Sequence, residues 1–289
     1  MKRLVALIPM AWLGLFFLVP FLVLLKISVS EPAIAQPPYM PLLDWADGIL
    51  TIALNLGNYI FLTEDPLYLL SYLSSVKIAA ISTVLTLLLG YPMAYVIARA
   101  PEHRRGLLLM LVILPFWTSF LLRVYAWIGL LKANGIVNNA LLAVGVIDQP
   151  LVMLQTDFAV YLGIVYTYLP FMILPLYATL SKLDADLLDA SADLGARPGT
   201  TFLTVTLPLS LPGVVAGSML VFIPAVGEYI IPALLGGPGT LMIGSVLWNE
   251  FFLNRDWPVA AAVAIVMVLV LAVPIALLRR VQAREGERP

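Results

Sequence analysis

The sequence predicts an all-α membrane protein with six transmembrane helices, and three observations carry that expectation. Of its 289 residues, 62% are hydrophobic and only 11% charged, where an ordinary soluble domain has about 25% charged residues. The mean hydropathy is +1.00. The apolar residues gather into runs long enough to cross a bilayer, which takes about 20 residues of helix, and most of the Lys and Arg lie between those runs.

The runs fall at roughly 4–29, 69–98, 107–131, 155–180, 207–234 and 257–278. Together they make one transmembrane domain over 1–289. The first follows Lys2 and Arg3 and precedes Ala33-Ile34-Ala35, a pattern that resembles a signal peptide with its cleavage site. Its apolar stretch exceeds the roughly 7–15 residues of a signal core, so it reads as an uncleaved helix. The second and third each carry a cation, Lys77 and Arg123. The fifth is interrupted by Pro224, Gly227 and Pro232 around Glu228, which predicts a kinked or locally opened helix. The segment 31–68 carries no firm expectation.

Orientation follows from the basic residues of the short loops. Lys2, Arg3, Arg99, Arg104, Arg105, Lys182, Arg197, Arg279, Arg280, Arg284 and Arg288 fall on one side. The loops of the other side hold Lys132 and Arg255, with Lys26 near a helix end. Both termini are therefore expected in the cytoplasm. The outer segments are acidic, with Glu31, Asp44, Asp47, Glu64, Asp65, Asp148, Glu250 and Asp256, and Asp157 at a helix mouth. Acids are tolerated there because orientation depends on basic residues; alternatively they form a negative vestibule that concentrates cations.

Several functions are excluded. With no cysteine there is no disulfide and no thiolate chemistry. The one histidine, His103, sits in a short basic loop without partner ligands and reads as solvated. A net charge of -1 argues against a nucleic-acid partner. Gly195-Ala196-Arg197-Pro198-Gly199-Thr200 lacks the lysine and spacing of a phosphate-binding loop. No catalytic residue and no metal ligand is expected, and any ATP hydrolysis belongs to another chain.

The most informative stretch is 181–208. Asp184, Asp186, Asp189 and Asp193 crowd into a greasy chain just before Gly195. Residues 181–195 read as a helix with a capping-box-like start at Ser181 and Asp184. Leu187, Ala190, Ser191 and Leu194 share one face of it, and Asp186, Asp189 and Asp193 another. Gly195 supplies a left-handed stop, and Pro198 suits the first position of the next helix. Helices that lie in lipid headgroups favour Lys and Arg on the polar face. An aspartate-bearing helix instead suits docking to a protein.

Asp189-Ala190-Ser191, then Gly195, then Thr206-Leu207-Pro208 resembles the EAA loop of bacterial ABC importer permeases. Asp189 replaces the family's Glu and Ser191 its second Ala; the glycine and Leu-Pro spacing hold. The resemblance implies the type I importer permease fold, with residues 181–206 as the coupling loop. It also implies that Asp186, Asp189, Ala190, Ser191, Leu194, Gly195 and Pro208 engage an ATPase subunit. The runs at 114–151 and 218–260 are similar to permeases of polyamine importers, the putrescine branch above all, and the likeness is also visible in VKIAAISTVLTLLLGYPMAYVIARA (76–100). The implied partners are a second homologous permease, two ATPase subunits that bind ATP and Mg, a periplasmic binding protein, the membrane lipid and the polyamine itself.

Charges inside spans cost about 2.5–3.5 kcal/mol each, so Glu228, Lys77 and Arg123 need reasons. Glu228, beside Tyr229, either lies on the path of a protonated amine or is an ion-pair partner of Lys77 or Arg123. The two cations would repel such a cargo and read as structural. Trp117, Tyr125, Trp127 and Trp248 are either path-lining or interfacial anchors. Glu250 and Asp256 are either solvated or contacts for the binding protein. The cargo stays open among putrescine, spermidine, another amine, iron and thiamine. A stand-alone secondary transporter or channel would leave the docking-like helix unexplained, and the inverted repeat of many such transporters is not evident.

Overall fold

The structure, a computed structural model, describes residues 2–46 and 49–286. Asp47 and Arg288, named above, lie outside the described residues. In order, the elements are α1 (Lys2–Leu13), α2 (Val19–Ser28), β1 (Leu43–Ala46), β2 (Ile49–Ile52), α3 (Gly57–Glu64) and α4 (Pro66–Arg99). Then come α5 (Glu102–Ile113), α6 (Phe120–Leu131), α7 (Ile136–Ala143), α8 (Asp157–Leu180) and α9 (Ala185–Asp193). The last are α10 (Pro198–Thr201), α11 (Leu207–Val226), α12 (Ile230–Leu235), α13 (Ile243–Trp248) and α14 (Trp257–Gly286). Among the described residues, six helical runs are long and apolar enough to cross a membrane: Leu7–Ser28, Pro66–Arg99, Phe120–Ala143, Asp157–Leu180, Pro198–Val226 and Trp257–Ala276.

Three spans differ from the sequence expectation. The run expected at 107–131 is broken: Pro115 lies in a tight 3-10 turn at Leu114–Trp117, and Thr118 and Ser119 are extended (ψ 152° and 136°) before α6 begins. The spanning run starts at Phe120 and continues through α7. The fifth run starts earlier than expected, at Pro198, and passes through a wide π-helical turn at Phe202–Thr206. It stops at Val226, and Gly227, Glu228 and Tyr229 separate it from α12. The second starts at Pro66. The segment 31–68 holds an antiparallel hairpin, with Leu43 opposite Ile52, and the short helix α3. This two-stranded sheet and an isolated antiparallel bridge between Pro32 and Tyr39 are the β structure among the described residues.

The residues form two compact units, 1–73 with 243–289, and 74–242. In the first, α2 packs on α14. Buried Asn58 of α3 donates from Nδ2 to the carbonyls of Ser28 and Ser30, both at 2.9 Å, which ties α3 to the end of α2. These carbonyls close a helix and have no acceptor role within it. The Tyr72 hydroxyl donates to the Val263 carbonyl at 2.6 Å, and buried Ala260, Ala261 and Ala262 keep that turn of α14 slim.

In the second unit α8 lies along α11. Met172, Ile173 and Leu176 of α8, Val221 of α11 and Tyr91, Ala94 and Ile97 of α4 form the core. In lipid, helices associate through tight packing rather than hydrophobic drive, so small residues set the approach. At Gly217 a Cβ would stand 2.7 Å from Met172 Sδ and 3.1 Å from its backbone oxygen. The bare glycine is what lets the two helices touch. Tyr91 Oη and Ser210 Oγ, 2.8 Å apart and buried, join α4 to α11.

Candidate docking helix and translocation path

Both candidate sites of the second unit hang on α11, one at each end. At its start, α9 is the expected amphipathic helix, but its first residue is Ala185 rather than Ser181. Ser181 closes α8 instead, with its N–H on the Tyr177 carbonyl at 2.9 Å. Asp184 is the N-cap: its Oδ1 accepts from the Asp186 N–H at 3.1 Å. Asp186 follows in the first turn, where a carboxylate meets the positive end of the helix dipole. Gly195 has φ +79°, the left-handed stop expected of it, and Pro198 opens α10.

The faces of α9 differ from the sequence reading. Ser191 is buried, and its hydroxyl pairs with Thr201 Oγ1 at 2.9 Å. Leu188 and Ala192 share a cleft with Tyr95, Pro198 and Phe202. Leu187, Ala190 and Leu194, expected on one face with Ser191, are exposed, Leu194 to 89%. The side of α9 turned to α10 carries Leu188, Ser191 and Ala192, one position on from the apolar set, and the Ser191–Thr201 bond joins the two helices. Asp186, Asp189 and Asp193 are exposed as well, so the outer surface of α9 mixes leucine with carboxylates. Pro208 follows the π-helical turn Phe202–Thr206 inside the continuous run from Pro198, so its missing N–H leaves the preceding turn one helix bond short.

At the other end of α11 stands Glu228, 8% exposed. Its Oε2 accepts from the Tyr168 hydroxyl at 2.6 Å. Its Oε1 faces the N–H groups of Ile230 and Ile231 at 3.2 and 3.4 Å. The carboxylate therefore caps α12 and fastens it to α8. The ion pair weighed for it is absent: no Lys or Arg lies within bonding distance of Glu228 among the described residues, and Lys77 is exposed. Arg123 is not paired either. Its Nε and Nη1 are buried without a hydrogen-bond partner, and the guanidinium lies over the rings of Phe116 and Phe120, 5.2 and 5.8 Å from their centroids. The aromatic faces substitute for a carboxylate partner.

Trp127 packs edge-on to Tyr166 at 5.4 Å; Trp117 and Tyr125 are exposed, Trp117 to 75%. Tyr229 is half-buried beside Glu228. Trp248 belongs to the other unit, where it packs against Phe252 at 4.0 Å.

That unit corrects a second expectation. Glu250 is neither solvated nor free for a partner: it is buried, with Oε1 accepting from the Tyr68 hydroxyl and Oε2 from Asn254 Nδ2, both at 2.9 Å. It lies in a π-helical turn, Asn249–Asn254, closed by left-handed Arg255. Asp256 next to it caps α14 through the Val259 N–H at 3.0 Å. Burial pushes its carboxyl above the ordinary carboxylate range; the Val259 bond opposes the rise and Glu250 adds to it. The pairs Tyr168–Glu228 and Tyr68–Glu250 escape sequence reasoning, because their members stand 60 and 182 residues apart.

Residues 80–285 match the model of the binding-protein-dependent transport system inner membrane component. The chain belongs to this family. It is 38% identical over 273 residues to the spermidine/putrescine transport system permease protein PotB of Haemophilus influenzae, covering 94% of this chain and 90% of that one. To PotB of Escherichia coli it is 40% identical over 260 residues, 90% of each chain. A crystal structure of a bacterial alginate ABC transporter with its alginate-bound periplasmic protein shares the fold, at TM-score 0.68 and 16% identity over 99% of this chain and 95% of that one. The chain is thus a multi-pass membrane component of a transport system, and the stand-alone transporter or channel is set aside.

Proposed function

We propose that this chain is one of two permease subunits of an ATP-driven polyamine importer, carrying spermidine or putrescine. The identity to PotB over 94% of the chain carries the reading of the cargo class. The relatives are named for both polyamines, so neither is singled out. In this reading both termini and α9 face the cytoplasm of a bacterial inner membrane, in keeping with the basic residues on that side. A second permease completes the path, two ATPase subunits bind ATP with Mg, and a periplasmic protein delivers the amine.

The geometry gives this reading a mechanism. Closure of the ATPase pair would press on the outer surface of α9, at Asp186, Asp189, Ala190 and Leu194. The Ser191–Thr201 bond and the turn at Phe202–Thr206 carry the displacement into α11. Close contact at Gly217 makes α8 move with α11. The displacement ends at the break after Val226, where Glu228 and Tyr229 stand on the proposed path. Alternation of that break between two arrangements opens the path to one side and then the other.

The test is uptake of labelled spermidine and putrescine into proteoliposomes holding the full complex. Uptake that requires ATP and the binding protein, and that each polyamine competes for, supports the reading. A complex that hydrolyses ATP but takes up neither amine refutes the cargo, and uptake without ATP refutes the machine.

A further inference from the structure

One face of the second unit has no part in the proposed transport cycle. A cleft of about 460 Å³ runs between α4 and α5, walled by Pro92, Met93 and Val96 on one side and Leu108, Leu111 and Val112 on the other. Its lining is almost wholly apolar, and α4 is a membrane-spanning helix, so the cleft lies open to lipid. At one end the two helices meet through the loop 100–101, and there the chemistry changes abruptly. Arg104 and Arg105 precede Leu108 by four and three residues, on the same face of α5 that walls the cleft. Arg99 follows Val96 by three on α4 and lies over the Tyr95 ring at 5.6 Å. Segment 99–105 holds these three arginines against one acid, Glu102.

The arginines are placed rather than loose. Arg105 is half-buried, and its Nε donates to the Ala100 carbonyl at 2.7 Å. That bond uses one of five guanidinium N–H donors and leaves the fork of the other four. Arg104 Nε is 3.2 Å from His103 Nε2, which leaves its terminal nitrogens likewise. An apolar cleft at hydrocarbon depth ending in forked cations matches one kind of molecule, an acyl chain with an anionic phosphate at its head.

We infer that the α4–α5 cleft binds an anionic phospholipid, with an acyl chain along its walls and the phosphate at Arg104 and Arg105. The inference rests on the chain crossing a membrane and is independent of the cargo. Its occupant is a lipid rather than a second permease because the cleft ends in cations that a lipid phosphate neutralises and an apolar helix would bury.

Native mass spectrometry of the assembled complex tests it, with phosphatidylglycerol and phosphatidylcholine of equal chain length offered together. The expected result is retention of phosphatidylglycerol over phosphatidylcholine. Each basic side chain near an anionic surface contributes about fivefold, so Arg104→Gln with Arg105→Gln should cut the preference roughly 30-fold. Val96→Trp fills the cleft and should lower retention of both lipids while leaving their ratio near that of the native chain. Equal retention of the two lipids by the native complex overturns the inference. So does a preference that survives the double substitution, or one that Lys132→Gln, far along the chain, reduces equally. Retention by the isolated chain that vanishes in the complex would show the cleft to be covered by another subunit, and also overturns it.

Discussion

Replacing Glu228 separates the two roles a carboxylate at the break after α11 can have. In Glu228→Ala three donors lose their acceptor together: the Tyr168 hydroxyl and the N–H groups of Ile230 and Ile231. Loss of a helix cap costs about 1 kcal/mol. Each buried donor left unsatisfied costs about 1–3 kcal/mol, and the side chain is only 8% exposed. The cap term covers the two N–H groups, so with the one Tyr168 hydroxyl the alanine variant should lose on the order of 2–4 kcal/mol. Glu228→Gln keeps an oxygen for the two N–H groups and offers its amide to the Tyr168 oxygen, so it forfeits only the charge-assisted part, about 1 kcal/mol. Thermal melting of the purified complex, followed by tryptophan fluorescence, ranks the three proteins: native, then glutamine slightly below, then alanine well below. Uptake by the glutamine variant then reads the charge alone. If the carboxylate meets the amine, the stable glutamine variant loses most uptake; if it only caps α12, uptake stays. Alanine and glutamine variants that melt together, or an alanine variant that melts with the native chain, would refute the geometry.

Arg123→Met removes a guanidinium with two buried unsatisfied nitrogens and keeps most of the packing, so it should leave the melting temperature unchanged or raise it; a loss of several degrees would mean another subunit supplies its partner. Gly217→Val drives a side chain into Met172 Sδ and its backbone, and overpacking of this kind costs about 1–3 kcal/mol or forces α8 and α11 apart. That variant should show a lower melting temperature, with uptake lost in proportion. Tyr68→Phe leaves Glu250 one partner in place of two, and hydrogen bonds to charged groups contribute about 1.5–3 kcal/mol; melting of the complex checks it against Tyr59→Phe, whose lost bond is between two neutral hydroxyls.

The sequence made legible whatever is local or periodic. Span number follows from run length, the left-handed stop from Gly195, the start of α10 from Pro198, and the opened helix from Pro224 and Gly227. The start of α9 was misplaced because Ser181 and Asp184 are both cap residues, and only the end of α8 decides between them. The apolar period groups Ser191 with Leu187, Ala190 and Leu194, but only the fold shows that Ser191 alone of the four is buried, against Thr201. The break at Thr118 and Ser119 lay inside an unbroken apolar run, where hydropathy has no way to register a change of backbone. Pairings across 60 or 182 residues leave no trace in a single chain, so the tyrosine partners of Glu228 and Glu250 are not legible in the sequence. Burial without a cation nearby is also why the ion-pair reading failed: hydroxyl and N–H donors satisfy a carboxylate as well as an arginine does.

We propose that ATP hydrolysis acts on this chain through the outer surface of α9. Leu194 tests it most directly, because it is 89% exposed and touches little of its own protein. Leu194→Asp should change the stability of the chain by no more than about 0.5 kcal/mol. Burying a leucine against a partner is worth about 1.5–3 kcal/mol, so its loss should weaken ATPase docking by roughly 10- to 100-fold. The measurement is ATP hydrolysis and polyamine uptake by the reconstituted complex, native and Leu194→Asp, with the melting temperature of the permease taken alongside. The expected result is unchanged melting with uptake lost and the ATPase released from the membrane. Unchanged melting with full ATP-driven uptake would contradict it.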